Sequence, residues 1–140
     1  NPSRSVKLHE EIYKAHPEIN SLIIAHPPNI MAFAVSDAEF DSRIIPESYI
    51  MLRDIPKLPF GSSFMQPALT AKEINEVTPV VIVENDCVIV AGNSLINAFD
   101  RLEVAEFSAK AIIAAHGLGE IVKIDNSEIE KINKAFNLKV

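Results

Sequence analysis

Apolar residues fall into two patterns along this chain. Short continuous runs rich in β-branched residues read as strands, and runs spaced three and four apart read as helices. Leu22–Ala25, within SLIIAHPP, is a continuous run, as expected for a strand covered on both faces. It stops at His26, and neither Pro27 nor Pro28 can extend a ladder, so the chain turns there. Before it, Val6, Leu8, His9, Ile12 and Tyr13 share one side of a helix that Ser3 or Ser5 can cap and that runs to Ala15, short of Pro17. After it, Asn29–Val35 reads as a short helix and Ser36–Arg43 as a polar loop. Pro46–Arg53 reads as a helix with proline in its first turn, Pro56–Phe60 as a short strand broken by prolines, and Gly61–Leu69 as a loop. Thr70 and Glu73 make a capping-box pattern for a helix over Thr70–Val77.

Pro79–Glu84 and Cys87–Ala91 read as two strands joined by a two-residue turn, Asn85-Asp86. Asn93 or Ser94 then caps the longest helix, Leu95–Ala115. Its stripe is Ala98, Leu102, Ala105, Ala109, Ile112 and Ile113, and Gly117 and Gly119 end it. Ile121–Ile124 reads as a last strand. Asp125 or Ser127 caps a final helix, Glu128–Phe136, with Ile129, Ile132 and Phe136 on one side. Strands and helices alternate around a central hairpin. That order predicts an α/β fold, a mixed sheet with helices on both faces.

The bulk numbers narrow the class. The 140 residues suit one domain, 1–140, and no repeat or linker divides them. With 48% hydrophobic and 23% charged residues the chain is expected to be soluble and globular. A net charge of −6 argues against nucleic-acid and anionic-membrane partners, which need clustered Lys and Arg. A single cysteine, Cys87, excludes an internal disulfide and fits a reducing, cytoplasmic setting. No apolar run is long enough for a membrane span. No signal peptide is visible, and because Asn1 is not a natural start the true N-terminus is expected upstream.

Three places could carry chemistry. His26 ends a strand just before a helix, where open α/β sheets hold ligands. It either ligates a metal with Asp86 and Glu84 or simply ends the strand as a hydrogen-bonded side chain. Asp86 is either a ligand or a turn residue. Ser3, Arg4 and Ser5 precede a helix N-terminus, which either binds an anion with the Arg4 guanidinium or is only capped there. Cys87 and His9 read as packing residues, His16 and His116 as residues at helix C-termini, and Tyr49, Met51, Phe64 and Met65 as core or subunit contacts.

Four stretches together resemble the class II aldolase/adducin family. These are PSRSVKLHEEIY (Pro2–Tyr13), PEINSLIIAHPP (Pro17–Pro28), VVIVENDCVIVAG (Val80–Gly92) and NAFDRLEVAEFSA (Asn97–Ala109) with its Glu103/Glu106 pair. The resemblance covers nearly the whole chain but only the later two-thirds of a family domain. A preceding segment with a glycine-rich phosphate loop is not part of this sequence. It implies a three-layer α/β/α sandwich with a mixed, largely antiparallel sheet. It further implies a zinc-dependent aldolase or epimerase for sugar phosphates, with three histidine ligands, a catalytic glutamate and tetrameric assembly. At those positions this chain has Ile24, His26 and Asp86 for the histidines and Ser5 for the glutamate. Ser3 keeps a phosphate-contacting serine, and Arg4 replaces the next one.

The expected function is therefore a class II aldolase/adducin-like domain that lacks zinc-dependent aldol cleavage and binds a sugar phosphate or another small anion through Ser3, Arg4 and Ser5. No cofactor is expected, with zinc or another divalent metal as the alternative at His26 and Asp86, two ligands that make a weak site. One alternative is an active aldehyde-lyase or epimerase with an altered metal or acid/base site. Another is a non-enzymatic structural oligomer subunit, adducin-like, for which the apolar stretch Phe60–Leu69 offers an interface.

Overall fold

A computed structural model describes residues 1–140. Its elements in chain order are α1 (Val6–Ala15), β1 (Ser21–Ala25), α2 (Pro28–Ala34), α3 (Pro46–Leu52), β2 (Lys57–Leu58), α4 (Ser62–Met65), α5 (Pro67–Glu73), β3 (Val80–Val83), β4 (Cys87–Gly92), α6 (Leu95–Ala115) and α7 (Asn126–Ala135). One four-stranded sheet has the order β1-β4-β3-β2. The β1–β4 and β3–β4 pairs are antiparallel, and β2 joins β3 in parallel.

The central strands β3 and β4 are wholly buried, so their alternating side chains feed two cores. Val80, Ile82, Val88 and Val90 point to one face, against Ile30 and Phe33 of α2, Leu52 of α3, and Ala98, Ala105, Ala109 and Ile112 of α6. Val81, Val83, Cys87, Ile89 and Ala91 point to the other, against Leu8 and Ile12 of α1 and Ala71 of α5. The result is the expected three-layer α/β/α sandwich with a mixed, mostly antiparallel sheet.

The turns into and out of α6 show how the layers are held. Ser94 caps α6, its Oγ accepting from Asn97 N at 3.1 Å. Gly92, where β4 hands over to α6, has no room for a side chain: a Cβ there would stand 2.6 Å from the Ala98 backbone nitrogen. Asp125 caps α7, accepting from the backbone N–H groups of Ser127 and Glu128. By contrast, α2 is capped from a distance. The Glu106 carboxylate of α6 accepts from the backbone N–H groups of Asn29 and Ile30 and from Asn29 Nδ2, at 2.6 to 3.1 Å.

Several expectations are corrected. β1 is an edge strand: Ser21 and Leu22 are buried, but Ile23, Ile24 and Ala25 are only half-buried, because no strand lies beyond it. Gly61–Leu69 is not a loop; it holds α4 and the start of α5, which Pro67 opens at its first position. Thr70 therefore lies inside a helix that ends at Glu73, and it is no cap. Its hydroxyl donates to the Ser62 carbonyl at 2.6 Å and ties α5 to α4.

The β3–β4 turn spans three residues, because Glu84 leaves the strand with Asn85 and Asp86. Asn85 adopts φ 52°, which asparagine tolerates. Between its flanking prolines only Lys57–Leu58 pairs as a strand. Ile121–Ile124 joins no sheet. One backbone bond, Ile124 N to Arg43 O, and the Lys123–Asp41 ion pair hold it over the loop before α3. On α6, Ser108 and not Ile113 completes the buried stripe, and Phe136 of the last helix faces solvent. No helix is long and apolar enough to cross a membrane.

Candidate functional site

One hollow of about 290 Å³ gathers the residues singled out in the sequence. Ser3, Arg4 and Ser5 enter it from the approach to α1, Ile24 and His26 from the end of β1, and Asp86 and Cys87 from the β3–β4 turn. Three segments far apart in sequence meet because β1 pairs with β4 in the register that sets Ala25 opposite Val88. The C-terminal end of β1 and the turn before β4 therefore lie side by side. Leu8 floors the hollow, and Ser63 and Phe64 of α4 close it. Glu84 does not line it.

At the N-terminus of α1 the two serines do not cap the helix. Ser5 holds the N-cap position without a side-chain cap bond, and its hydroxyl pairs with that of Ser3 at 3.0 Å. The backbone N–H groups of Lys7 and Leu8 are left without a protein acceptor. A helix N-terminus in that state carries partial positive charge toward the hollow. The Arg4 guanidinium lies 5.9 Å above the Phe64 ring, a cation–π contact that holds it at the rim. These groups can accept a phosphate or carboxylate.

The other wall is different. His26 is exposed, so its imidazole is free to meet a ligand. Asp86 accepts a hydrogen bond from the Ser63 hydroxyl, a partner supplied by α4. Cys87 behind it is buried, and burial, with the Asp86 charge adding to it, pushes the thiol up to about 12. It is therefore a packing group and not a nucleophile at neutral pH.

The implied zinc site finds no matching ligands here. Ile24 has no lone pair, and only one imidazole and one carboxylate face the hollow. No group of three or more His, Cys, Asp or Glu side chains is arranged to hold a metal ion anywhere in the chain. A tetrahedral zinc centre draws three or four ligands from the protein. The residues present do not fit it. Ser63 and Phe64 also line the site, which a loop over Gly61–Leu69 does not foretell, because only the turn of α4 aims them at Asp86. The small polar pair Ser62-Ser63 beside Phe64 was the available signal.

The chain matches the class II aldolase and adducin N-terminal domain family over residues 1–113. It is 29% identical over 112 residues to an L-fuculose phosphate aldolase of Methanococcus vannielii, covering 78% of this chain and 59% of that protein. Among solved structures it resembles YgbL from Escherichia coli (TM-score 0.79, 20% identity), over 94% of this chain and 66% of that one. It also resembles an L-fuculose 1-phosphate aldolase from Thermus thermophilus (TM-score 0.72, 19% identity), over 86% and 66%. The chain thus spans about three-fifths of the curated relative's length. By the family match and the fold together, this chain belongs to the class II aldolase and adducin N-terminal domain family.

Proposed function

We propose that this domain binds a small anion of the sugar-phosphate class in the hollow at Ser3–Ser5 and does not carry out zinc-dependent aldol cleavage. The observation that carries the reading is the pairing of one intact wall with one altered wall. The anion wall has open helix N–H groups, two serine hydroxyls and the Arg4 guanidinium. The opposite wall has Ile24 and Asp86 where the resemblance puts two histidines, and Ser5 stands at the glutamate position. Fuculose phosphate, the ligand class in the relatives' names, has the charge and size for such a hollow.

In this site Arg4 pairs with the phosphate, and the helix N–H groups of Lys7 and Leu8 share its charge. His26 orients the sugar hydroxyls. Calorimetry with L-fuculose 1-phosphate tests the reading. Saturable binding is expected, weakened about tenfold by Arg4→Ala, as for loss of one charge-assisted contact, with no aldehyde released in the presence of zinc. Stoichiometric zinc in the native protein that is lost in His26→Ala, together with turnover, would overturn it.

A second reading, a structural oligomer subunit, draws on the exposed apolar side chains of α4 and its flanks. Phe60 and Met65 are 62% and 71% exposed. Light scattering that shows a dimer or larger, reduced by Met65→Glu, would support it.

A further inference from the structure

Residues of α3 and α6 frame a hollow of about 410 Å³ that the site at Ser3–Ser5 does not use. Its apolar wall includes Ile45, Met51 and Phe107, and Glu47, Asp100 and Glu103 add three carboxylates. No lysine or arginine lines it. Ile45 and Phe107 are 45% and 67% exposed, so large apolar side chains stand open to water among the acids. Helical spacing builds this face. Asp100, Glu103 and Phe107 lie three and four residues apart on α6, and Phe99, four residues before Glu103, extends the stripe at 48% exposed.

These acids have little to do inside the chain. Its ion pairs all lie elsewhere, and none includes Glu47, Asp100 or Glu103. Glu47 stands in the first turn of α3, where a carboxylate answers the helix dipole. Asp100 and Glu103 lie beyond the first turn of α6, where that effect has faded. Two like charges three residues apart on one helix repel, a cost that no cation of the hollow offsets. Exposed apolar surface rimmed by polar groups marks an interaction site, and here every charge around it has the same sign.

We propose that this groove docks a basic amphipathic helix of a partner protein. Apolar side chains of that helix displace water from Ile45, Met51 and Phe107. Its lysines and arginines meet Glu47 on the α3 wall and Asp100 and Glu103 on the α6 wall. Charge argues against a second copy of this chain as the occupant, because two copies of net charge −6 that meet through acidic faces repel. The face is separate from the hollow at Ser3–Ser5: α3 and α6 cover one side of the sheet and α1 covers the other.

Fluorescence anisotropy of a labelled amphipathic helical peptide of leucine and lysine, titrated with the full chain, tests this. Saturable one-to-one binding is expected, weakening as salt is raised. The same peptide with glutamate in place of every lysine should not bind. Asp100→Asn combined with Glu103→Gln should weaken binding about tenfold, and Phe107→Ala should weaken it to a similar degree. Glu10→Gln combined with Glu11→Gln removes the same charge from α1, on the other side of the sheet, and should leave binding unchanged. No binding, equal binding of the glutamate peptide, or equal weakening by the α1 pair would overturn the proposal. So would a dimer of the unliganded chain that Phe107→Ala disperses, since a second copy then covers the groove. The two peptides decide the matter on the unsubstituted chain even if a variant folds poorly.

Discussion

At the scale of single residues, charge decides where this chain is sensitive to acid. The Arg43 guanidinium, bonded to Asp41 through Nε and Nη2, holds the Asp41 carboxyl well below the usual carboxylate range; burial opposes this and Lys123 adds to it. A depressed folded pKa stabilises the protein above the unfolded value of about 4, and that contribution is lost as pH falls below it. Asp41→Asn should therefore lower the urea midpoint at pH 7, and the gap to the parent should narrow at pH 3. A gap of equal size at both pH values would show that the pair contributes nothing through ionisation. Cys87 offers a second check. With its thiol pushed up to about 12 and its side chain buried, it should react with a disulfide reagent only after denaturant is added.

At the scale of elements, the joints matter more than the helices they join. Gly92 must stay a glycine because its neighbour is backbone, the Ala98 nitrogen, which cannot swing aside. Gly92→Ala should cost at least about 2 kcal/mol, read from chemical denaturation, since β4 or α6 must shift to admit the methyl group. Glu106 is the second joint. It holds the first turn of α2, and so the Pro27-Pro28 bend behind His26. Glu106→Ala leaves two backbone donors unpaired and should destabilise the protein by about 2–3 kcal/mol. Glu106→Gln, which keeps an acceptor oxygen, should recover part of that loss. Equal losses in both variants would mean that the charge and not the acceptor is what α2 requires.

At the scale of the whole molecule, the sheet order brings three distant segments into one hollow. β1 lies at the sheet edge, so the site at its end is open on one side. The apolar residues of α4 stand beside that opening, with Phe60 and Phe64 edge to face at 6.0 Å. Ligand binding that orders this rim should raise the melting temperature with sugar phosphate concentration, as linkage requires. A melting temperature indifferent to the ligand at saturating concentrations would contradict binding at the Ser3–Ser5 hollow.

Much of this was legible in the chain itself. The β-branched runs VVIV and CVIVA could only be central strands, because their alternating faces are both apolar and demand cover on both sides. Proline in the first turn marked α3, and the serine and aspartate caps marked the starts of α6 and α7. His26, Asp86 and Ser3–Ser5 were recognisable as candidates from residue type and position. Other features were beyond local reading. Thr70 looks like a cap in sequence but bonds the Ser62 carbonyl across a helix junction. IVKI has the composition of a strand, yet pairing also needs a free neighbouring edge, and the chain places Ile121–Ile124 elsewhere. Ser63 joined Asp86 only when residues more than twenty positions apart were brought together. Local pattern determined the elements because burial and backbone geometry act over a few residues. Which side chains share a hollow was decided by strand register and helix packing, which act across the whole chain.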